Sequence, residues 1–365
     1  MTTRRSTLAR PLALWFAGLV VYASWYPFDG WLPIHAFSVA FLSAPWPRYW
    51  TAFDLWSNLL GYAPLGALLA LWVLRTRGGR WAWVGAVLAP ALLSLGLELG
   101  QVLLPSRVPS NVDWALNTLG GWAGLGVACV GHRRGWWLRW DQVRAHWFVP
   151  GAHGALVLLA LWPFAVLYPA GVPLGVGQVW PALQQALSPV LAAIEGWAWS
   201  GLVVPQPQPL SDLTQSAVVV FSGLAPVLLG YSVVPTRLHR LWHLVGVLAL
   251  GLAVCGLSAA LTYGPAHAWS WWSEPVERAW WLSAFVGLLL LPVPLQAARL
   301  GLVVCLMASL WLLNRAPPTP YLVESIEVWA QGRFIRFHGL TQWLGWAWPF
   351  VALAHGWRQW LRHRA

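Results

Sequence analysis

Ten runs of apolar residues, each about as long as a helix, alternate with short polar connections or with longer ones rich in Pro and Trp. They fall near residues 10–27, 54–74, 81–104, 112–131, 148–169, 213–235, 241–263, 279–294, 297–313 and 339–357. A helix rises about 1.5 Å per residue, so about 20 residues cross a hydrocarbon core about 30 Å thick. A lipid-immersed segment must satisfy its own backbone polar groups, and a helix does so internally. The pattern predicts an all-α fold: a polytopic transmembrane bundle of about ten helices with no sizeable soluble domain. It divides into a four-helix membrane domain over 1–140 and a second membrane domain of about six helices over 141–365.

Three segments need separate treatment. Arg4, Arg5 and Arg10 precede the first apolar run as they would in a signal peptide, but no small-residue cleavage site follows before Tyr26 and Pro27, so the run reads as an anchor. Leu187 to Pro205 is apolar enough for an eleventh span, which would invert every later connection. With Glu195, Trp197 and Trp199 it suits an outer interfacial or re-entrant segment better. From Tyr321 to Ala330, Leu322, Ile326 and Trp329 recur at helical spacing while Glu324 and Glu327 take another face, which predicts a short helix on the outer surface.

Composition agrees with the pattern. Hydrophobic residues make up 58% of the chain and charged ones 9%, against roughly 25% charge in a soluble domain. The net charge of +11 comes from arginine alone, since the chain has no lysine. Those arginines sit in short connections, which is a topology signal and argues against a nucleic-acid partner. With the N-terminus inside, sixteen of the 22 arginines lie on the inner side, Arg75, Arg77, Arg80, Arg133, Arg134, Arg139, Arg144, Arg237, Arg240 and Arg299 among them. The positive-inside rule therefore predicts cytoplasmic N- and C-termini in a multi-pass protein of the inner (cytoplasmic) membrane. Most of the 32 tryptophans lie near predicted helix ends and read as an interfacial belt. Cys129, Cys255 and Cys305 lie far apart in apolar segments and read as packing residues.

The densest polar run in this setting is Glu98, Gln101, Arg107, Ser110, Asp113 and Asn117, joined on the preceding helix by Asp54 and Asn58. A carboxylate inside a membrane helix costs about 3 kcal/mol and needs a partner or a purpose. The predicted topology brings all three helices' polar groups to one depth. Asp54 with Asn58 and Asp113 with Asn117 are i, i+4 pairs, and Glu98 with Gln101 is an i, i+3 pair, so each shares a helix face. The turn after Pro105 is expected to lower Arg107 onto Glu98, because guanidinium forks bind carboxylates and phosphates at two points. Gly120, Gly121, Gly124 and Gly126 would let the fourth helix approach a neighbour closely. An alternative reading makes Asp54, Asp113 and Asp212 ordinary N-caps and the amides interhelical glue.

The run from Glu98 through Gln101, Pro105, Arg107, Ser110, Asp113, Asn117 and Gly120, with Asp54, Asn58 and Pro64 before it, resembles the signature of the VanZ-like integral membrane family over about residues 50–130. That resemblance implies a cell-envelope membrane protein. The family's namesake is an accessory protein of glycopeptide resistance associated with teicoplanin.

Other chemistry is sparse. His239 and His243 have i, i+4 spacing without a metalloprotease pattern, so no metal site is expected, and no phosphate loop, dinucleotide fingerprint or nucleophile elbow occurs. No cofactor is implied and no catalytic residue can be named. His338, with Arg333, Arg336 and Gln342, gathers at the start of the last helix. The leading functional expectation is an outward-facing polar site of Asp54, Asn58, Glu98, Gln101, Arg107, Ser110, Asp113 and Asn117. It would bind, or transport, an envelope lipid, a lipid-linked cell-wall precursor or a glycopeptide-like ligand. The alternatives are an enzyme acting on an extracytoplasmic lipid or glycan, with Glu98 or Asp113 as general base, and an assembly partner for another membrane protein.

Overall fold

The computed structural model describes residues 9–25, 28, 30–46, 52–184, 186–187, 210–317 and 335–361. Among these residues the chain is helical, without strands. All ten apolar runs are helices: α1 (Ala9–Trp25), α2 (Ala52–Thr76), α3 (Arg80–Gln101), α4 (Asn111–Arg133), α6 (His153–Val166), α7 (Asp212–Tyr231), α8 (Arg237–Tyr263), α9 (Glu274–Leu289), α10 (Leu295–Leu313) and α11 (Ile335–Leu361). One more, α5 (Trp136–Trp147), forms in the Arg-rich connection that pattern alone left without structure. Five helices are long and apolar enough to cross a membrane among the described residues: α2, α3, α7, α8 and α10. The protein is a multi-pass membrane protein. The expected interfacial segment near Leu187–Pro205 and surface helix over Tyr321–Ala330 fall almost entirely outside the described residues.

The chain forms two compact units, Met1–Gln142 and Val143–Ala365. In the first, α2 and α4 make the most intimate pair, with α3 packed on α4 and α1 resting on α2 and α3. The intimacy follows from glycine. A Cβ on Gly124 would fall 1.8 Å from the Ala63 carbonyl oxygen, one on Gly120 2.1 Å from that of Leu59, and one on Gly66 1.8 Å from that of Gly121. The two backbones therefore touch, as small-residue helix crossings in membranes do.

In the second unit α7 is central, flanked by α9 and α10, and every residue from Ser222 to Tyr231 is buried. Trp162, Trp271, Trp280 and Trp348 fill the core, and the Trp348 indole donates to the Leu158 carbonyl at 2.8 Å, tying α11 to α6. Ser222 and Ser309 share a buried 2.7 Å hydrogen bond between α7 and α10.

One connection between apolar runs is itself buried. After α6, Val172 to Gln178 are non-helical and buried inside this unit. Irregular backbone is tolerated there only when other groups satisfy it. Asn314, at the end of α10, accepts from the amides of Val179 (2.9 Å) and Trp180 (2.7 Å) and donates to the carbonyls of Gly177 (2.9 Å) and Leu310 (2.8 Å). Gln178 accepts from the Gly171 amide and donates to the carbonyls of Ala316 and Pro317. Replacing Asn314 by alanine leaves several backbone groups open, at about 2–3 kcal/mol in all. The thermal midpoint of the purified protein is expected to fall by roughly 5–10 °C. An unchanged midpoint would show that this amide does not hold the segment.

Candidate functional site

The polar stripe of the first unit is built from three i, i+4 pairs rather than the two that sequence pattern singles out. On α2 the pair is Asn58 and Tyr62, on α3 Ser94 and Glu98, and on α4 Asp113 and Asn117. Helical spacing puts each pair on one face, and the glycine contact of α2 with α4 brings those faces together. Asn58 Nδ2 donates to Asp113 Oδ1 at 2.7 Å, joining α2 to α4. Asn117 Nδ2 donates to Ser94 Oγ at 3.0 Å, joining α4 to α3. Glu98, only 3% exposed, accepts from the Ser110 amide through Oε2 at 2.8 Å. Asp113 lies within electrostatic reach of Glu98, so two carboxyl groups share one interior.

Ser94 and Tyr62 were missed by pattern, although the signal was present: each sits one turn from a residue already singled out. Ser94 is fully buried and Tyr62 nearly so. The Tyr62 hydroxyl lies within interaction range of the Ser94 side chain and within electrostatic reach of Glu98, without closing a hydrogen bond of full geometry among the described residues, and Asn117 Oδ1 accepts none there. The interior therefore holds polar atoms with open hydrogen-bonding capacity, a condition that costs roughly 1–3 kcal/mol per group when nothing fills it.

The remaining candidates take other places. Arg107 does not pair with Glu98: among the described residues no ion pair joins them, and Arg107 Nη2 instead donates to the Ala23 carbonyl at 3.3 Å. Gln101 reaches the adjacent Ser24 carbonyl at 3.4 Å. Ala23 and Ser24 belong to the last turn of α1, whose carbonyls have no partner within their own helix and carry partial negative charge. That helix end competes for the guanidinium, and it has no basic residue of its own in the last turn. Ser110 is the N-cap of α4, its Oγ accepting from the Asp113 amide at 3.3 Å. Asp113 is thus a first-turn acid rather than the cap, and Ser211 plays the same part ahead of Asp212. Asp54 lies in the first turn of α2, and its side chain is outside the described residues.

Two tryptophans of α4 bond across to the neighbouring helix within this unit. The indole of Trp114 donates to the Ala91 carbonyl and that of Trp122 to the Val87 carbonyl, both at 3.0 Å, lacing α4 to α3 on either side of Pro90. In the second unit His243 bonds the Pro226 carbonyl and His239 stacks on Trp147, 4.1 Å between ring centroids. Among the described residues no group of three His, Cys, Asp or Glu is arranged to hold a metal.

Residues 12–132, all within the first unit, match the family model described as VanZ/LLP1, and this part of the chain is VanZ-like. The match includes α1, which the resemblance over residues 50–130 left out and which Gln101 and Arg107 tie to the rest. No curated protein and no solved structure matches the chain.

Proposed function

We propose that the first unit binds an envelope lipid, a lipid-linked cell-wall precursor or a glycopeptide-like ligand at the polar end of α2, α3 and α4, in the inner membrane of the cell envelope. The observation that carries this reading is the interior where Asn58, Tyr62, Ser94, Glu98, Asp113 and Asn117 converge with the Tyr62 hydroxyl and Asn117 Oδ1 left open. Structural glue alone would close such groups on one another, because open ones destabilise the fold. Asn58 and Asp113, half-buried, stand at the rim of this interior, with Glu98 and Asn117 deeper.

Arg107, half-buried on the turn after α3, provides the cation for an anionic group, while Asn58, Gln101 and Asn117 offer neutral hydrogen bonds. The positive-inside count puts this end on the outer face, where such ligands reside. A teicoplanin-type resistance role would follow from binding a cell-wall precursor or the drug itself.

The test is native mass spectrometry of the gently extracted protein, comparing copurified lipids in wild type, Arg107→Ala and Glu98→Gln. The expected result is a specific bound species whose occupancy falls at least roughly tenfold in both variants, the size of one lost charge-assisted hydrogen bond. Correctly inserted variants that retain the same lipids and the same antibiotic tolerance would overturn the proposal.

A further inference from the structure

The hydrogen bonds made inside the first unit leave a lopsided remainder. Asn58 gives its side-chain amide to Asp113, Asn117 gives its own to Ser94, and the Ser110 backbone amide goes to Oε2 of Glu98. These bonds use up N–H donors, whereas an oxygen that accepts one bond keeps room for another. What stays open is therefore oxygen. Asn117 Oδ1 accepts from nothing, and Oε1 of Glu98 meets no donor among the described residues. The Tyr62 hydroxyl, within interaction range of Ser94 and electrostatic reach of Glu98, adds lone pairs as well as a proton.

Bulk water does not settle this account. Glu98, Tyr62 and Asn117 are 3%, 5% and 7% exposed, and they come from three different helices, α3, α2 and α4. The Tyr62 hydroxyl oxygen and Asn117 Oδ1 are both out of solvent contact and without a full hydrogen bond among the described residues.

Two properties narrow what can fill such a place. Its open capacity is accepting, so a guest has to bring N–H or O–H donors. The charge nearest these oxygens is acidic: no cation is bonded to Glu98 among the described residues, and Asp113 lies within electrostatic reach of it. Water supplies donors without charge, and a quaternary ammonium supplies charge without a donor. A primary ammonium supplies both, three N–H groups on one compact cation. Its charge-assisted bonds to a carboxylate are roughly twice as strong as neutral ones.

From this remainder we infer that the interior between α2, α3 and α4 receives a primary ammonium group, so that the ligand carries an amine as well as the anionic group assigned to Arg107. The inference rests on the reading of this place as a ligand site and narrows it to amine-bearing ligands. Phosphatidylethanolamine is the simplest envelope lipid with that pair of groups.

The test follows thermal unfolding of the full chain in a neutral detergent with mixed micelles containing phosphatidylethanolamine, phosphatidylcholine or phosphatidylglycerol. Phosphatidylcholine keeps the positive charge but has no N–H, and phosphatidylglycerol keeps the phosphate but has no amine. Phosphatidylethanolamine is expected to raise the midpoint at concentrations at least roughly tenfold below either. Ethanolamine hydrochloride, set against sodium chloride at equal concentration, separates the sources: an extra rise assigns the place to the ammonium group alone, and a lipid preference without it to the whole headgroup. Glu98→Gln is expected to abolish the preference for phosphatidylethanolamine over phosphatidylcholine. Tyr62→Phe removes only a hydroxyl that closes no full hydrogen bond among the described residues. Its lipid-free midpoint is expected to equal or exceed that of wild type while its affinity for phosphatidylethanolamine falls at least roughly threefold, a result that purely structural glue would not give. This variant carries the test if Glu98→Gln does not fold. Equal responses to the three lipids, lost in Arg107→Ala, would overturn the inference and leave the ligand site standing. A full preference for phosphatidylethanolamine in Tyr62→Phe and in any folded Glu98→Gln would overturn it as well. No response to any of the three, with no species copurifying in the mass spectra, would end both readings.

Discussion

Valine at position 124 is expected to dismantle the first unit. Its Cβ would sit 1.8 Å from the Ala63 carbonyl oxygen and 2.6 Å from the carbonyl carbon. The obstacle is backbone, which has no rotamer to escape into, so α2 and α4 must separate. Separation releases the Asn58–Asp113 bond and opens the face on which the polar interior depends. Overpacking a close-packed interior commonly costs 1–3 kcal/mol, and a backbone clash belongs at or above roughly the top of that range. Gly124→Val is expected to aggregate or elute as a broadened peak in size-exclusion chromatography and to lose any ligand bound by the first unit. Gly126→Ala is the control: two residues further along the same helix, with nothing within 4 Å of its would-be Cβ, it should behave as wild type or slightly better, since alanine favours helix over glycine. Equal behaviour of the two variants would refute the touching-backbone account of this unit.

The second large effect is expected at Arg240. Its guanidinium is buried and donates to four carbonyls: Val234 (2.8 Å), Leu291 (2.8 Å), Val293 (2.5 Å) and Tyr231 (3.0 Å), with the Tyr231 ring 5.3 Å away beneath it. Tyr231 and Val234 end α7 and follow it, while Leu291 and Val293 follow α9. One side chain therefore neutralises the negative ends of two helices at once. Arg240→Met keeps the length of the stem but strands those carbonyls, and a cost of about 3–5 kcal/mol is expected. Arg240→Lys supplies a compact charge without the planar fork and should recover only part of it. Thermal unfolding of the three proteins in one detergent orders them wild type, lysine, methionine; a methionine variant as stable as wild type would remove Arg240 from the framework.

Arg240 also illustrates how far local pattern reaches. In the sequence it is one more arginine beside an apolar run, indistinguishable from Arg237 three residues earlier, and it enters the topology count with equal weight. The fold separates them: Arg237 is exposed while Arg240 is 3% exposed, because only one of the two points at the converging ends of α7 and α9. The same distinction applies at Arg107. Its spacing from Glu98 is compatible with an ion pair, but α1 delivers unpaired carbonyls to the same turn, and a helix terminus 84 residues away along the chain cannot be weighed from local spacing. The buried course of Val172–Gln178 was hidden for a related reason. Its burial depends on Asn314, more than 130 residues distant, turning its amide toward that backbone.

What could be read without coordinates was everything governed by short-range periodicity and by the solvent preference of side chains. That includes ten helices, membrane residence, the i, i+4 faces of Asn58, Asp113 and Asn117, the close approach of α4 at Gly120, Gly121 and Gly124 though not at Gly126, which faces open space, and the oddity of Glu98 within an apolar helix. These follow from the 3.6-residue repeat and from the cost of placing charge in hydrocarbon, both properties of a chain segment by itself. Which polar group meets which was decided only in three dimensions. A hydrogen bond is settled by competition among all the donors and acceptors that folding brings within about 3 Å, and most of those competitors come from distant parts of the chain.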